Sequence, residues 1–311
     1  MFQKKTSNIP PVCRSFLIKS DPYKMENLDE LKHDITGEPR YKLSAANVFV
    51  SPGGFHYIDH LDPVEDIPPE IDGSGLTQAE VDYIEKSLQS NPERLANQIA
   101  AVKRHITVTG RKALDIGCGG GLFLAALQRE GAEATGIELS DTRAFYSKTR
   151  HGFEVVKRPI EDDYWKSFQG MFDIVALWDV IEHVPDPAAY IRRAAEVLKP
   201  GGILALATPD VSSLPARLTG RRWVGYKLSE EHVYYFSTAT LTRMLEEAGF
   251  EVISSRHIGK YVTLRLFLDR LSMYSALIAR PLAWLERIFR LSEWSLYVNP
   301  FDIVAITARR K

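Results

Sequence analysis

Ala113-Leu114-Asp115-Ile116-Gly117-Cys118-Gly119-Gly120-Gly121 is the stretch that decides the fold. An apolar run with a small acid inside it predicts a strand over 113–116. The glycines at 117, 119, 120 and 121 predict a tight turn, because glycine reaches backbone conformations and close approaches that a Cβ forbids. Leu122-Phe123-Leu124-Ala125-Ala126-Leu127 then predicts a helix over about 121–130, whose first turn has backbone N–H groups without intrahelical partners.

Strand, glycine turn and helix together form a nucleotide-type cradle. A dinucleotide cradle needs G-x-G-x-x-G, with a third glycine for close helix packing. Counted from Gly117 or Gly119, that third position falls on Leu122 or Leu124. The spacing present is D-x-G-x-G-x-G, carried by Asp115, Gly117, Gly119 and Gly121.

The same alternation continues outward. Strands are expected at 134–137, 153–156, 173–177, 203–207, 250–254 and 301–308. Helices are expected at 187–198, stopped by Lys199-Pro200-Gly201-Gly202, and at 238–248, capped by Ser237 and ended by Gly249. Two helices precede the first strand. One starts at Thr77 with Glu80 completing a capping box and runs to about Leu88; the other starts at Asn91-Pro92-Glu93 and runs to about His105. Short apolar strands alternating with helices imply an α/β fold with a mostly parallel, doubly wound sheet. Residues 209–237 read as a long irregular loop.

The chain has 311 residues, 45% hydrophobic and 25% charged, which is the composition of a globular protein. Its net charge of −1 gives no reason to expect a nucleic-acid partner. Two distant cysteines, Cys13 and Cys118, make no disulfide framework and point to a reducing compartment. The expectation is a cytoplasmic protein, since no apolar run suits a signal peptide or a membrane span.

The glycine turn resembles the first motif of the class I S-adenosylmethionine-dependent methyltransferases. Further matches follow in order: Gly136-Ile137-Glu138 after strand two, Phe172 through Pro187 around strand four, and Leu198-Lys199-Pro200-Gly201-Gly202 before strand five. The family implies S-adenosylmethionine as cofactor. It also implies a Rossmann-like seven-stranded sheet in the order 3-2-1-4-5-7-6, with the last strand antiparallel. Cofactor contacts are then expected from Asp115, Gly117, Cys118, Gly119, Gly121, Glu138, Ile160, Glu161, Trp178 and Asp179. Glu138 suits the ribose hydroxyls, because an end-of-strand carboxylate accepts two hydrogen bonds. Asp115 is expected to order the turn and face the amino end of the cofactor.

Methyl transfer to oxygen or carbon favours a general base, and histidine suits neutral pH. His183, just past strand four, and His232, in the aromatic loop, are the two candidates. Asp179, Glu182 and His183 form D-x-x-E-H, which relatives of the quinone-precursor type use for a divalent metal; other relatives keep Glu-His without one, and no metal is assigned. The segment Glu231-His232-Val233-Tyr234-Tyr235-Phe236-Ser237 is similar to a subgroup acting on small molecules, including glycan and lipid precursors. A small-molecule acceptor for O- or C-methylation is therefore expected. The readings set against it are a nucleic-acid or protein methyltransferase and a non-catalytic cofactor-binding module.

Two appendages complete the reading. Residues 1–72 are proline-rich and read as irregular, apart from a short strand at 48–50 and an acidic, proline-rich linker at 62–70; around Cys13 and Tyr41–Pro52 they resemble the zinc ribbon of the same subgroup with its paired cysteines missing. Residues 73–311 form the methyltransferase domain, with a helical insertion over 258–300. Within it, 261–297 has apolar residues at helical spacing with interleaved arginines and a break expected at Pro281. A packed cap, a homodimer surface and a peripheral membrane contact are all open.

Overall fold

A computed structural model describes residues 39–43, 46–51, 54–60, 76–77, 81–82, 84–85 and 92–311, apart from 229–231, 273–274, 290 and 293. The expected zinc-ribbon remnant around Cys13 and the expected linker at 62–70 lie outside these residues. Of the expected helix 77–88, Thr77, 81–82 and 84–85 are described; 81–82 and 84–85 are helical, and the Val81 N–H donates to the Thr77 carbonyl.

The strands are β1 (Tyr41–Lys42), β2 (Ala46–Val50), β3 (His56–His60), β4 (Lys112–Ile116), β5 (Glu133–Ile137), β6 (Glu154–Val156), β7 (Phe172–Trp178), β8 (Leu198–Pro209), β9 (Tyr234–Tyr235), β10 (Phe250–His257), β11 (Lys260–Thr263), β12 (Ser295–Val298) and β13 (Ile303–Arg310). Seven of them build the main sheet in the order β6-β5-β4-β7-β8-β13-β10. This is the expected 3-2-1-4-5-7-6 order. β13 is antiparallel to both neighbours, while the β4–β8 core is parallel.

The period-two alternation of the strands sorts two unlike faces. Leu114 and Ile116, Val175 and Leu177, and Leu204 and Leu206 join a core with Tyr190, Ile191, Leu241 and Leu245 of helices Pro187–Val197 and Thr238–Glu247. The other face carries Ala113, Ala176, Ala205 and Ala207, packed with Val102 of helix Pro92–Lys103 and Phe123, Leu124 and Leu127 of helix Leu122–Arg129. Small side chains there let helices lie close to the sheet. Every residue of β7 is buried, as expected for a strand covered on both faces.

Four expectations change. The N-terminal part is not wholly irregular: β1, β2 and β3 form an antiparallel meander, and β9 from the aromatic loop adds a fourth strand to it. Lys199-Pro200-Gly201-Gly202 does not separate helix from strand, because Leu198 already pairs with Phe172 and the glycines make a bulge inside β8. Gly201 has φ +76° there, which glycine adopts without strain. The loop 209–237 is partly helical, with a short helix at Leu214–Thr219. The insertion is not helical throughout: β11 and β12 pair antiparallel at its base, around helices Leu264–Ser272 and Ala276–Ile288. Pro281 sits inside the second helix and does not end it; the cost there is one backbone hydrogen bond and the crowding of its ring against the preceding turn.

Asp173, at the start of β7, is a clamp on this sheet. It is buried and accepts from the Lys199 Nζ at 2.8 Å, the Lys112 N–H at 3.0 Å and Arg111 at 3.1 Å. Burial works to raise its pKa, but these three donors outweigh burial and hold it below the usual 3.8. A depressed carboxylate stabilises the fold above its unfolded pKa, and that contribution is lost as pH falls through the folded value. Replacing Asp173 by Asn is therefore expected to cost about 1.5–3 kcal/mol at neutral pH in urea melts. The gap from wild type should close as pH drops below 3.8.

Candidate active site

Asp115 lies near the carboxyl end of β4, opposite Gly136 of β5 and Ala176 of β7, so its neighbours leave room for a buried carboxylate. The turn that follows is set by its glycines. Gly117, Gly119 and Gly121 have φ of +73°, +53° and +77°. A Cβ on Gly121 would lie 2.3 Å from Ser147 Oγ, and one on Gly117 would lie 2.6 Å from Val180 Cγ2. A Cβ on Gly119 would meet nothing within 4 Å, so the turn is open to a ligand on that side.

The amides of the turn are largely spent within it. The Gly117 and Cys118 N–H groups donate to the Ile137 carbonyl, and Gly121 donates to the Cys118 carbonyl. The Gly119 N–H donates to Glu138 Oε2 at 2.9 Å, and the Ser140 N–H donates to Glu138 Oε1 at 2.9 Å. The turn thus has four of its own amides already engaged. It offers open space beside two buried carboxylates, Asp115 and Glu138. Asp115 Oδ1 is buried and meets no hydrogen-bond donor. Its burial, with the Glu138 charge adding, pushes its pKa well above 3.8. A cationic or hydrogen-bond-donating ligand relieves both penalties. Each Glu138 oxygen accepts one amide and keeps further acceptor capacity for hydroxyls.

Past β7 the chain turns over the sheet edge. Trp178 is buried edge-on against Phe123, with centroids 5.4 Å apart, and its Nε1 has no partner. Asp179 takes a positive φ of 54° and its N–H donates to the Ala207 carbonyl. Its side chain pairs with Arg94 from helix Pro92–Lys103. Nothing in the sequence around Arg94 signalled this, because the pairing spans the whole first half of the sheet.

Glu182, His183 and His232 come together, each offering one ligand-type atom within 4.8 Å of the others. The two imidazoles meet edge to face with centroids 4.6 Å apart. The Glu182 carbonyl accepts from the Val233 and Tyr234 N–H groups, and the Tyr234 hydroxyl donates to the Pro185 carbonyl, so the aromatic loop is stitched to the turn after β7. Glu182 is fully buried, and burial raises its pKa to about 7, against the pull of its own backbone, the Thr208 hydroxyl and the Arg94 charge. His232 is buried, its Nδ1 lacks a partner, and burial followed by the His183 charge lowers its pKa to about 3. His183 is exposed. The aromatic loop hides this trio in the sequence, since 49 residues separate His183 from His232.

Other expected contacts are placed differently. Cys118 packs its sulfur over Gly136, where a Cβ would lie 2.5 Å away. Burial, then the Asp115 and Glu138 charges, pushes its thiol far up, so the side chain is inert packing. Ile160 is fully buried in the core with Trp165, and a ligand reaches it only if neighbouring side chains move. Glu161 is turned to the Tyr190 hydroxyl of helix Pro187–Val197. Asp179 is turned to Arg94 and not into a set with Glu182 and His183.

A glycine turn, a carboxylate ending the second strand and this sheet order define a methyltransferase of the Rossmann-like kind. The chain belongs to the methyltransferase domain family, whose model matches residues 82–255. It is 31% identical over 168 residues to the ubiquinone biosynthesis O-methyltransferase of Methylococcus capsulatus, covering 51% of this chain and 70% of that one. It is 32% identical over 154 residues to the protein of the same name from Thiobacillus denitrificans, covering 46% and 66%. An S-adenosylmethionine-dependent methyltransferase from Archaeoglobus fulgidus superposes with a TM-score of 0.50 at 21% identity, over 74% of this chain and 99% of that one. The enzyme is S-adenosylmethionine-dependent. The unpartnered Asp115 oxygen and the open side of Gly119 fit that cofactor, which carries a sulfonium and an ammonium.

Two measurements check this geometry. The His232 ring signals in NMR should stay unshifted between pH 8 and pH 5, because the ring is neutral down to about pH 3. Gly121→Ala should lose about 2–4 kcal/mol of stability in denaturant melts, since it combines a positive φ with overlap on Ser147 and Phe153.

Proposed function

We propose that this protein methylates a hydroxyl oxygen of a small-molecule acceptor, with an aromatic hydroxyl of the quinone-precursor type as the leading candidate. The observation that carries this is the exposed His183 held against a neutral His232 and a buried Glu182. The O-methyltransferase names of the relatives support it. A sugar or lipid-linked hydroxyl uses the same chemistry and belongs in the same assay.

When bound, S-adenosylmethionine supplies a methyl carbon activated by its sulfonium and a neutral thioether leaving group. Asp115 would face the ammonium, and Glu138 would accept the ribose hydroxyls beside the Gly119 amide it already holds. Trp178 walls the site at the end of β7. His183 takes the proton of the acceptor hydroxyl, so that oxygen attacks as it loses its hydrogen. His232 does not share that role, because a ring with a pKa of about 3 is too weak a base to hold the proton of a hydroxyl. Its neutrality spares His183 a neighbouring positive charge. Glu182, once ionised, stabilises the imidazolium formed on His183.

Labelled-methyl transfer to a panel of phenolic, sugar and lipid-linked acceptors tests the reading, with product mass spectrometry locating the methyl. His183→Ala should lower kcat by about 10²–10⁴-fold while cofactor affinity by calorimetry holds. Wild-type turnover in that variant, or methyl found only on nitrogen, sinks the proposal. Glu138→Ala should raise the cofactor Kd by roughly 10–100-fold. Turnover should rise with pH through about 7 as Glu182 ionises, and Glu182→Gln should flatten that limb.

A divalent cation is a second reading of the same trio, favoured by three donors within 4.8 Å. Full activity in a chelator assigns the trio to acid–base work; loss restored by magnesium or zinc assigns it to metal.

A further inference from the structure

Helix Ala276–Ile288 is mounted inside out. Among its described side chains, the two it buries are Ala279 and Glu286, and Glu286, its only acid, accepts a hydrogen bond from the Ser292 hydroxyl. The residues facing away are Leu277, Ile278, Leu282, Leu285 and Ile288, followed by Phe289, with Leu277 89% exposed and Phe289 65% exposed. At 3.6 residues per turn these six share one face. A surface helix ordinarily turns such a face to its own core. A contiguous apolar face turned to solvent marks an interaction site.

Charge and aromatic content say what covers it. Arg280 and Arg287 flank the apolar face and are exposed, and the helix presents no exposed acid to answer them. Trp284 and Trp294 stand out beside it, 63% and 66% exposed. In a symmetric pair of copies the face would meet itself, bringing unanswered arginines toward one another. An anionic lipid surface answers each feature: acyl chains take the leucines and Phe289, the headgroup boundary takes the tryptophans, and phosphates take the arginines. Among the described residues no helix is long and apolar enough to cross a membrane.

We propose that the Ala276–Phe289 face lies in the headgroup layer of an anionic bilayer. Its position gives this a use. The insertion leaves the sheet at the end of β10 and returns at the start of β13, where the Ile258 N–H donates to the Ile303 carbonyl. β10 runs parallel to β8, so this is the carboxyl edge that also carries the glycine turn and His183. A face at that edge presents the site to acceptors held in the lipid. The surface stands independently of the acceptor proposed above, since binding is read without methyl transfer.

The test is flotation of the full chain with phosphatidylcholine vesicles, with and without phosphatidylglycerol. Wild type should float with the anionic vesicles and weakly or not at all with neutral ones. Leu277→Glu/Phe289→Glu should stay at the bottom of the gradient with an unchanged thermal melt. Arg280→Glu/Arg287→Glu should weaken anionic binding by roughly tenfold or more. Wild type that does not float, or the apolar pair variant floating as well as wild type, overturns the proposal. So does a wild-type dimer in sedimentation that the same variant dissolves into monomers.

Discussion

Two carboxylates at the ends of neighbouring strands, Asp115 and Glu138, are held out of water, and much of the site follows from what it takes to keep them there. Glu138 is stabilised by two amides, one of them from the glycine turn itself. That bond makes the turn a part of β5 as much as of β4. Asp115 has less help, and its charge stands next to that of Glu138. A fold that buries negative charge without full compensation has left a binding site for something positive. The turn therefore selects its ligand by charge as well as by shape. A dinucleotide, whose phosphates are anionic, meets two acids here.

The same constraint explains how much was legible. The cradle could be read because its residues are neighbours in sequence and each type does one job. Glycine appears where φ is positive, and an acid ends a strand. The sheet order came with the family resemblance; the alternation of Leu114 with Asp115, or Val175 with Ala176, fixes only which face of the sheet each side chain takes. Ile160 and Glu161 are less legible, because a position after a strand says nothing about which way its side chain turns. Arg94 was invisible because its partner, Asp179, is reached only after the chain has laid down four strands. Glu182 stood in view inside a motif, but its burial, and hence its pKa near 7, depends on the aromatic loop folding over it.

That loop is more firmly built than its composition suggests. Tyr235 packs on Trp223 and Tyr226, and Phe236 joins the main core with Phe55 and Tyr234. Asp210 anchors its start, accepting from Ser212, Thr238 and His257 while bridging to Phe236. β9 pairs with β3, so the N-terminal meander and the wall over His232 belong to one small sheet. Strands β1, β2 and β3 are thus part of the support for the acceptor side of the site, far though they lie from it in sequence.

The place of β13 bears on how the chain reaches this state. β10 pairs within the main sheet only with β13, and β13 also closes the open side of β8. Both partners are made before it. During synthesis, β8 exposes a long apolar edge and β10 has nowhere to dock until 303–310 arrive, and the exposed helix of the insertion emerges in that same interval. The antiparallel strand that completes the sheet thus covers the edge of β8 and gives β10 its partner in one step.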